Sequence, residues 1–285
     1  MSNPADTHSA AAQNVRVSAV PPNAGAAADP ATAFPRVHAI ATGRKAGAAL
    51  HAALRGRYHW AVIWGLALGG VTLTIAVGIA AATGATHFTL KTGSLATLLQ
   101  AFLLLFLFFL IAAANEEALV RGFAFQALEH NLGAAVAISI TSMIFGVLHL
   151  GNDDVTLFST CNTVLAGIWL GVAYLMTRSL WLATALHFSW NFVMAVVFGL
   201  PVSGIKLFKT FAWLDGESTG QWISGADYGP EGGAAATLAL LLCTLFIWKS
   251  GLFQTTQEMR QAIGHGRRQE DGLRITTEAT DTQHL

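Results

Sequence analysis

Long apolar runs separated by short polar turns dominate the pattern of the chain. The runs predict six membrane-spanning helices, at residues 60–83, 95–129, 134–150, 155–177, 180–200 and 234–248. A helix needs about 20 apolar residues to cross a hydrocarbon core of roughly 30 Å. The second run would measure about 52 Å as one helix, so it must tilt, kink or protrude. The fold class predicted is therefore all-α, a polytopic transmembrane helical bundle with about six spans.

The composition agrees with a membrane protein. The chain is 53% hydrophobic and only 11% charged, with a mean hydropathy of +0.51, whereas soluble domains carry roughly 25% charged residues. The formal net charge is zero and the charges lie mostly near the two ends. These features predict the lipid bilayer as the main partner and give no reason to expect nucleic-acid binding.

Three parts of the chain differ in composition. Residues 1–55 predict a disordered cytoplasmic N-terminal tail, because they are rich in Ala, Pro, Asn and Ser without periodicity. No early apolar core marks this tail as a signal peptide. Residues 56–250 predict the transmembrane domain, and residues 251–285 a soluble C-terminal tail. Within the domain, residues 201–231 predict a polar loop between the last two spans.

Basic residues predict the orientation in the membrane. They are Arg36, Arg44, Lys45, Arg55 and Arg57 before the first span, Arg178 between the fourth and fifth, and Lys249, Arg260, Arg267 and Arg268 after the last. With six spans, all these positions fall on one side, which the positive-inside rule makes cytoplasmic. We therefore expect a multi-pass protein of the plasma membrane, the inner membrane in a bacterium, with both termini in the cytoplasm.

Charged residues inside the second run carry the first functional signal. Glu116, Glu117 and Arg121 lie in an otherwise apolar stretch. Each such side chain costs about 2.5–3.5 kcal/mol near the centre of a bilayer, so three together indicate a functional site. His187 and Asn191 in the fifth run are four residues apart and share a helix face, as Glu117 and Arg121 do.

Depth arithmetic predicts that these polar residues meet. Glu117 and His149 lie about 22 and 25 Å from the turn near residue 132 when counted along their helices, and His187 and Asn191 lie about 12 and 18 Å above the turn at residue 179. Singly, an ion pair or an interhelical hydrogen bond explains each residue. Together they supply a base, hydrogen-bond donors and candidate metal ligands between three helices.

Three motifs then carry a family resemblance. They are Glu-Glu-x-x-x-Arg followed by Gly at 116–122, Phe-x-x-x-His at 145–149 and His-x-x-x-Asn at 187–191. In this order they resemble the CPBP intramembrane protease family, also called Abi, which includes the type II CAAX prenyl endopeptidases. The resemblance covers about residues 95–200. It implies a helical membrane protease that cleaves membrane-embedded or lipidated peptides.

The resemblance also implies roles for the first two motifs. Glu116 would be the general base that activates water, helped by His149. Glu117 and Arg121 would position the first carboxylate. A carboxylate in a dry pocket suits a base, because burial makes it easier to protonate.

The third motif would stabilise the reaction intermediate, and it raises the question of a metal. His187 and Asn191 would bind the oxyanion, where donors gain strength at low dielectric. Glu116, His149 and His187 would also make a three-ligand zinc site with an open position for water. The family is often labelled metalloprotease, yet the chain lacks a His-x-x-x-His pair on one helix. Both a zinc-assisted and a metal-free mechanism stay open.

Two other classes of function compete with a protease. A transporter or proton-coupled channel would also bury Glu, Arg and His, although no internal repeat of the kind found in transporters is visible. A non-catalytic immunity or binding protein of the same family would keep the site without turnover. The sequence leaves open the substrate and the oligomeric state.

Overall fold

The computed structural model describes residues 58–91, 94–208 and 212–255. The predicted N-terminal tail, and the predicted C-terminal tail from residue 256 onward, lie outside the described residues. The described helices are α1 (Tyr58–Ala82), α2 (Leu95–Glu117), α3 (Phe125–Leu132), α4 (Ala134–Leu148), α5 (Leu157–Thr177), α6 (Leu180–Phe192), α7 (Gln221–Ser224) and α8 (Ala234–Lys249). The predicted helical membrane bundle is confirmed.

Within the described residues, four helical stretches are long and apolar enough to cross a membrane. They are His59–Ala82, Leu98–Leu132, Leu157–Thr177 and Leu180–Val197. The other two predicted spans are the shorter apolar helices Ala134–Leu148 and Ala234–Lys249. The protein is therefore an integral membrane protein in which two of the six predicted spans are shorter than a full crossing.

The overlong second helix is present. It runs over 35 residues from Leu98 to Leu132. Between α2 and α3 the helix changes to π-helical geometry, at Ala118–Ala124. The chain turns at Gly133, whose φ of +86° suits glycine. The predicted turn at residues 130–133 thus narrows to one residue.

Helix α6 forms the centre of the bundle. Of the span Leu180–Val197, 78% is buried, compared with 18% of an apolar 18-residue stretch of the overlong helix. Helix α1 approaches α6 closely at two glycines, because a Cβ on Gly65 would lie 2.5 Å from Ala185 Cβ and one on Gly69 2.4 Å from the Leu186 carbonyl oxygen. Small residues at four-residue spacing allow such close packing of membrane helices.

The ends of α5 are well defined and tie the bundle together. Thr156 and Ser159 form a reciprocal capping box at its start. At its end Arg178 adopts a left-handed conformation, with a φ of +57°. Arg178 makes a two-pronged ion pair with Glu129 of α3. The turns after α3 and after α5 therefore lie on the same side of the bundle, as the sequence predicted.

A small sheet is the main feature that the prediction of an all-α fold missed. Strand β1 (Thr86–Leu90) pairs antiparallel with β2 (Leu214–Ser218). At one end the Thr86 and Ser218 hydroxyls are 3.0 Å apart although the residues are 132 positions apart in the chain. The predicted polar loop at 201–231 therefore contains ordered structure: β2, α7 and short 3₁₀ turns at Ala226–Tyr228 and Pro230–Gly232.

Candidate active site

One cavity of about 360 Å³ collects residues from all three motifs. Glu116, His149, His187 and Asn191 line it. Glu117 and Arg121 lie outside the lining and are completely buried. The cavity therefore contains four of the six predicted site residues, and the other two form a layer behind them.

Glu116 and Glu117 end α2 and have opposite surroundings. The Glu116 side chain is 42% exposed, while that of Glu117 is fully buried. Successive residues on a helix point about 100° apart, so one carboxylate can face the cavity while its neighbour faces the interior. Among the described residues, Glu116 Oε2 has no hydrogen-bond donor. This oxygen is buried, 3.9 Å from His187 Nε2, and it is the exposed part of the side chain that lines the cavity.

Glu117 joins three parts of the bundle. Arg121 Nη1 donates a hydrogen bond of 2.9 Å to Glu117 Oε1, and His187 Nδ1 lies 3.0 Å from the same oxygen. Arg121 Nη2 donates to the Gly167 carbonyl oxygen of α5, also at 2.9 Å. Arg121 itself lies in the π-helical segment. The layer behind the cavity thus connects the overlong helix with α5 and α6.

His149 lies at the end of α4 with a defined tautomer. Its Nδ1 is 2.7 Å from the Phe145 carbonyl oxygen. A carbonyl oxygen only accepts, so Nδ1 must donate, and Nε2 of the neutral ring carries the lone pair. The Phe145 ring lies near both histidines, with centroid distances of 4.7 Å to His149 and 5.9 Å to His187. The phenylalanine of the second motif therefore packs between them.

His187 connects the two glutamates of the first motif. Its Nδ1 faces Glu117, and its Nε2 lies 3.9 Å from Glu116 Oε2. One helical turn later, Asn191 lines the same cavity, and its Oδ1 is buried without a donor among the described residues. The shared face predicted for His187 and Asn191 therefore leads into the cavity.

The predicted zinc ligands do not converge. In the part of the chain that the structure describes, no group of three or more His, Cys, Asp or Glu side chains is placed to hold a metal ion. Each histidine does have the hydrogen-bond partner that orients zinc-binding histidines, since a carbonyl or a carboxylate oxygen contacts each Nδ1. Glu116, His149 and His187 nevertheless do not form a three-ligand site as they stand, and the zinc-assisted and the metal-free mechanism both stay untested predictions.

Several cavity residues were not predicted from the sequence. Asn162 of α5, Trp190 of α6, Ser203 and Glu231 all line the cavity. Asn162 is a polar residue within an apolar span, which is a signal that could have been used. Glu231 is one of several acidic residues in the predicted polar loop, and nothing in its local sequence distinguishes it.

The fold and the site define a class: a helical membrane protein with Glu, His and Asn side chains around one cavity and a buried Glu–Arg pair behind it. Residues 97–193 match the family model described as type II CAAX prenyl endopeptidase Rce1-like. All three motifs lie within the matched residues. No curated protein and no solved structure matches the chain. The match confirms the predicted resemblance over this segment and supports a CAAX-type membrane protease at the level of the family.

Proposed function

We propose that the protein is an intramembrane endopeptidase that hydrolyses peptide bonds of membrane-embedded or lipidated peptides. The observation that carries this proposal is the common cavity of Glu116, His149, His187 and Asn191. A base and hydrogen-bond donors around one space are what hydrolysis of an amide requires. The family match over residues 97–193 supports the same activity.

Glu116 is the base in this mechanism. Its partly exposed carboxylate accepts a hydrogen bond from a water molecule in the cavity. As the water oxygen bonds to the peptide carbonyl carbon, its proton passes to Glu116 and the carbonyl π electrons move to the carbonyl oxygen. The lone pair on His149 Nε2 offers a second acceptor that helps to orient the water.

His187 and Asn191 stabilise the oxyanion that forms. Because His187 Nδ1 donates to the Glu117 carboxylate, Nε2 can donate only when the ring carries both protons. The Glu116 and Glu117 carboxylates face that positive charge. Asn191 contributes the amide hydrogens of Nδ2.

Collapse of the intermediate completes the reaction. The oxyanion electrons re-form the carbonyl, and the carbon–nitrogen bond breaks. The leaving nitrogen takes the proton that Glu116 had accepted, so the products are a carboxylic acid and an amine. Glu116 returns to its starting state, and Glu117 with Arg121 has only held the site in place.

Substitution of the base and its helper tests the proposal. We expect Glu116→Ala and His149→Ala to abolish cleavage of a membrane peptide by purified protein in lipid, because losing a general base costs about 10²–10⁴-fold in rate. Membrane insertion should be unchanged. Glu217→Gln, an exposed carboxylate on β2, is the matched control. Undiminished cleavage in both alanine variants would contradict this mechanism, and a wild-type protein that cleaves nothing would favour a transporter or a non-catalytic role.

A further inference from the structure

A second carboxylate lines the cavity, and it comes from a part of the chain that follows all three motifs. Glu231 lies in the 3₁₀ turn Pro230–Gly232, just before α8, and is half-buried. It lines the same cavity as Glu116 but belongs to none of the three motifs, and the proposed mechanism does not use it. Its contacts indicate what it does.

Both oxygens of Glu231 accept hydrogen bonds from other parts of the cavity wall. Trp190 Nε1 donates to Oε1 at 3.1 Å. The backbone N–H and the hydroxyl of Ser203 both donate to Oε2, at 2.7 and 2.6 Å. Hydrogen bonds to an ionised carboxylate are stronger than those between neutral groups. The carboxylate therefore fastens α6 to the segment that follows it.

The main chain of Glu231 is held as well. Asn162 Nδ2 donates to the Glu231 carbonyl oxygen at 2.8 Å and to that of Gly233 at 3.0 Å. The Thr237 hydroxyl donates to Asn162 Oδ1 at 2.7 Å. With α5 and α8 fixing its backbone, Glu231 is a rigid anchor rather than a mobile surface acid.

The anchor holds a segment that forms one wall of the cavity. In this wall segment, residues 201–208, four side chains line the cavity: Val202, Ser203, Ile205 and Phe208. Ser203 adopts a φ of +48°, a conformation that a residue with a side chain rarely adopts. Its two hydrogen bonds to Glu231 offset that unfavourable backbone.

A separate contact holds the outer side of the wall segment. Lys206 Nζ lies 2.9 Å from Asp154 Oδ2 and 3.2 Å from Asp227 Oδ1. These hydrogen bonds raise the pKa of the exposed Lys206 ammonium group. Exposed pairs of this kind contribute little to stability, so the hydrogen bonds of Ser203 to Glu231 are the more shielded polar side-chain contacts of the segment.

We propose that Glu231 is a positioning residue for the peptide-binding side of the cavity. It keeps the wall segment and Trp190, the neighbour of Asn191, in the arrangement that a bound peptide meets. The proposal rests on the proposed peptidase function. It assigns Glu231 no proton transfer, so its loss should weaken substrate binding more than it slows the chemical step.

Glu231→Gln tests the proposal with almost no change in size. The amide has one acceptor oxygen, so its NH₂ group must face either the Trp190 or the Ser203 donors. We expect KM to rise about tenfold, the effect of losing a charge-assisted hydrogen bond, while kcat changes less than about twofold. Trp190→Phe, which removes one donor and keeps a ring, should have a smaller effect of the same kind.

Hydrogen exchange of the full-length protein in lipid gives a readout that needs no catalysis. The Ser203 amide donates directly to Glu231, so peptides covering residues 201–208 should exchange faster in Glu231→Gln and stay unchanged in the control Glu217→Gln. Unchanged exchange would overturn the anchoring role. Faster exchange with an unchanged KM, or an equal loss in kcat, would overturn the role in binding.

These outcomes are separate from a failure of the proposed peptidase function. The role of Glu116 as the base fails if Glu116→Ala still cleaves, and the peptidase function fails if the wild-type protein cleaves nothing. In the latter case, peptide binding to the wild type and to Glu231→Gln replaces KM. Equal affinity would then overturn the role of Glu231, and a tenfold difference would support it.

Discussion

At the scale of single residues, two adjacent carboxylates divide the work of the site. Glu116 lines the cavity with a side chain that is 42% exposed, whereas Glu117 is fully buried between Arg121 and His187. Glu116 is therefore placed to react, and Glu117 is placed to hold Arg121 and His187 in position. Replacing each by glutamine should therefore affect different properties of the protein.

We expect Glu117→Gln to lower stability far more than Glu116→Gln does. Without Glu117, Arg121 is a buried charge without a carboxylate partner, and breaking such a pair costs about 3–5 kcal/mol. Glu116→Gln should change the free energy of unfolding by less than about 1 kcal/mol and still abolish cleavage. Thermal unfolding in detergent, followed by tryptophan fluorescence, measures the difference. Equal destabilisation by the two variants would contradict these assignments.

Whether cleavage needs a metal ion also depends on the positions of individual side chains. Since Glu116, His149 and His187 do not converge into a three-ligand set, we expect cleavage to survive a strong chelator and the purified protein to contain less than one metal ion per chain. Elemental analysis and assays before and after chelation measure this. Loss of cleavage on chelation, restored by zinc, would instead require these side chains to come together.

At the scale of elements, close contacts between helices set the position of the site. The α1 and α6 backbones approach each other at Gly65 and Gly69, and α6 carries His187 and Asn191. The Ser189 hydroxyl also donates to the Leu66 carbonyl oxygen at 2.7 Å. Helix α1 lies outside the family match, yet it supports the helix that completes the site.

Gly69→Ala tests this support. The added Cβ would lie 2.4 Å from a backbone oxygen of α6, so the helices must separate, and we expect a loss of about 1–3 kcal/mol in the free energy of unfolding. Gly78→Ala in the same helix meets nothing within 4 Å and should stabilise α1 by up to about 1 kcal/mol. Unfolding by denaturant in detergent compares the pair. Equal effects would show that close packing at Gly69 is unimportant.

At the scale of the whole molecule, the sequence predicted the features that depend on the local pattern of apolar and polar residues. The apolar runs, the overlong helix and the meeting of His149, His187 and the glutamates follow from helix geometry and burial. The β1–β2 pairing and the anchor at Glu231 do not, because their partners lie far away in the chain and their local residues look like an ordinary polar loop. The cytoplasmic placement of both termini stays a prediction.

The hydrogen bonds of Arg121 and Glu117 have a consequence for biosynthesis. Their partners, Gly167 on α5 and His187 on α6, are made later than the overlong helix. Until those residues leave the ribosome, only the pairing of Arg121 with Glu117 offsets the cost of these charges in lipid, at about 2.5–3.5 kcal/mol for each charge. The overlong helix therefore gains its full set of polar contacts only after α6 has been synthesised.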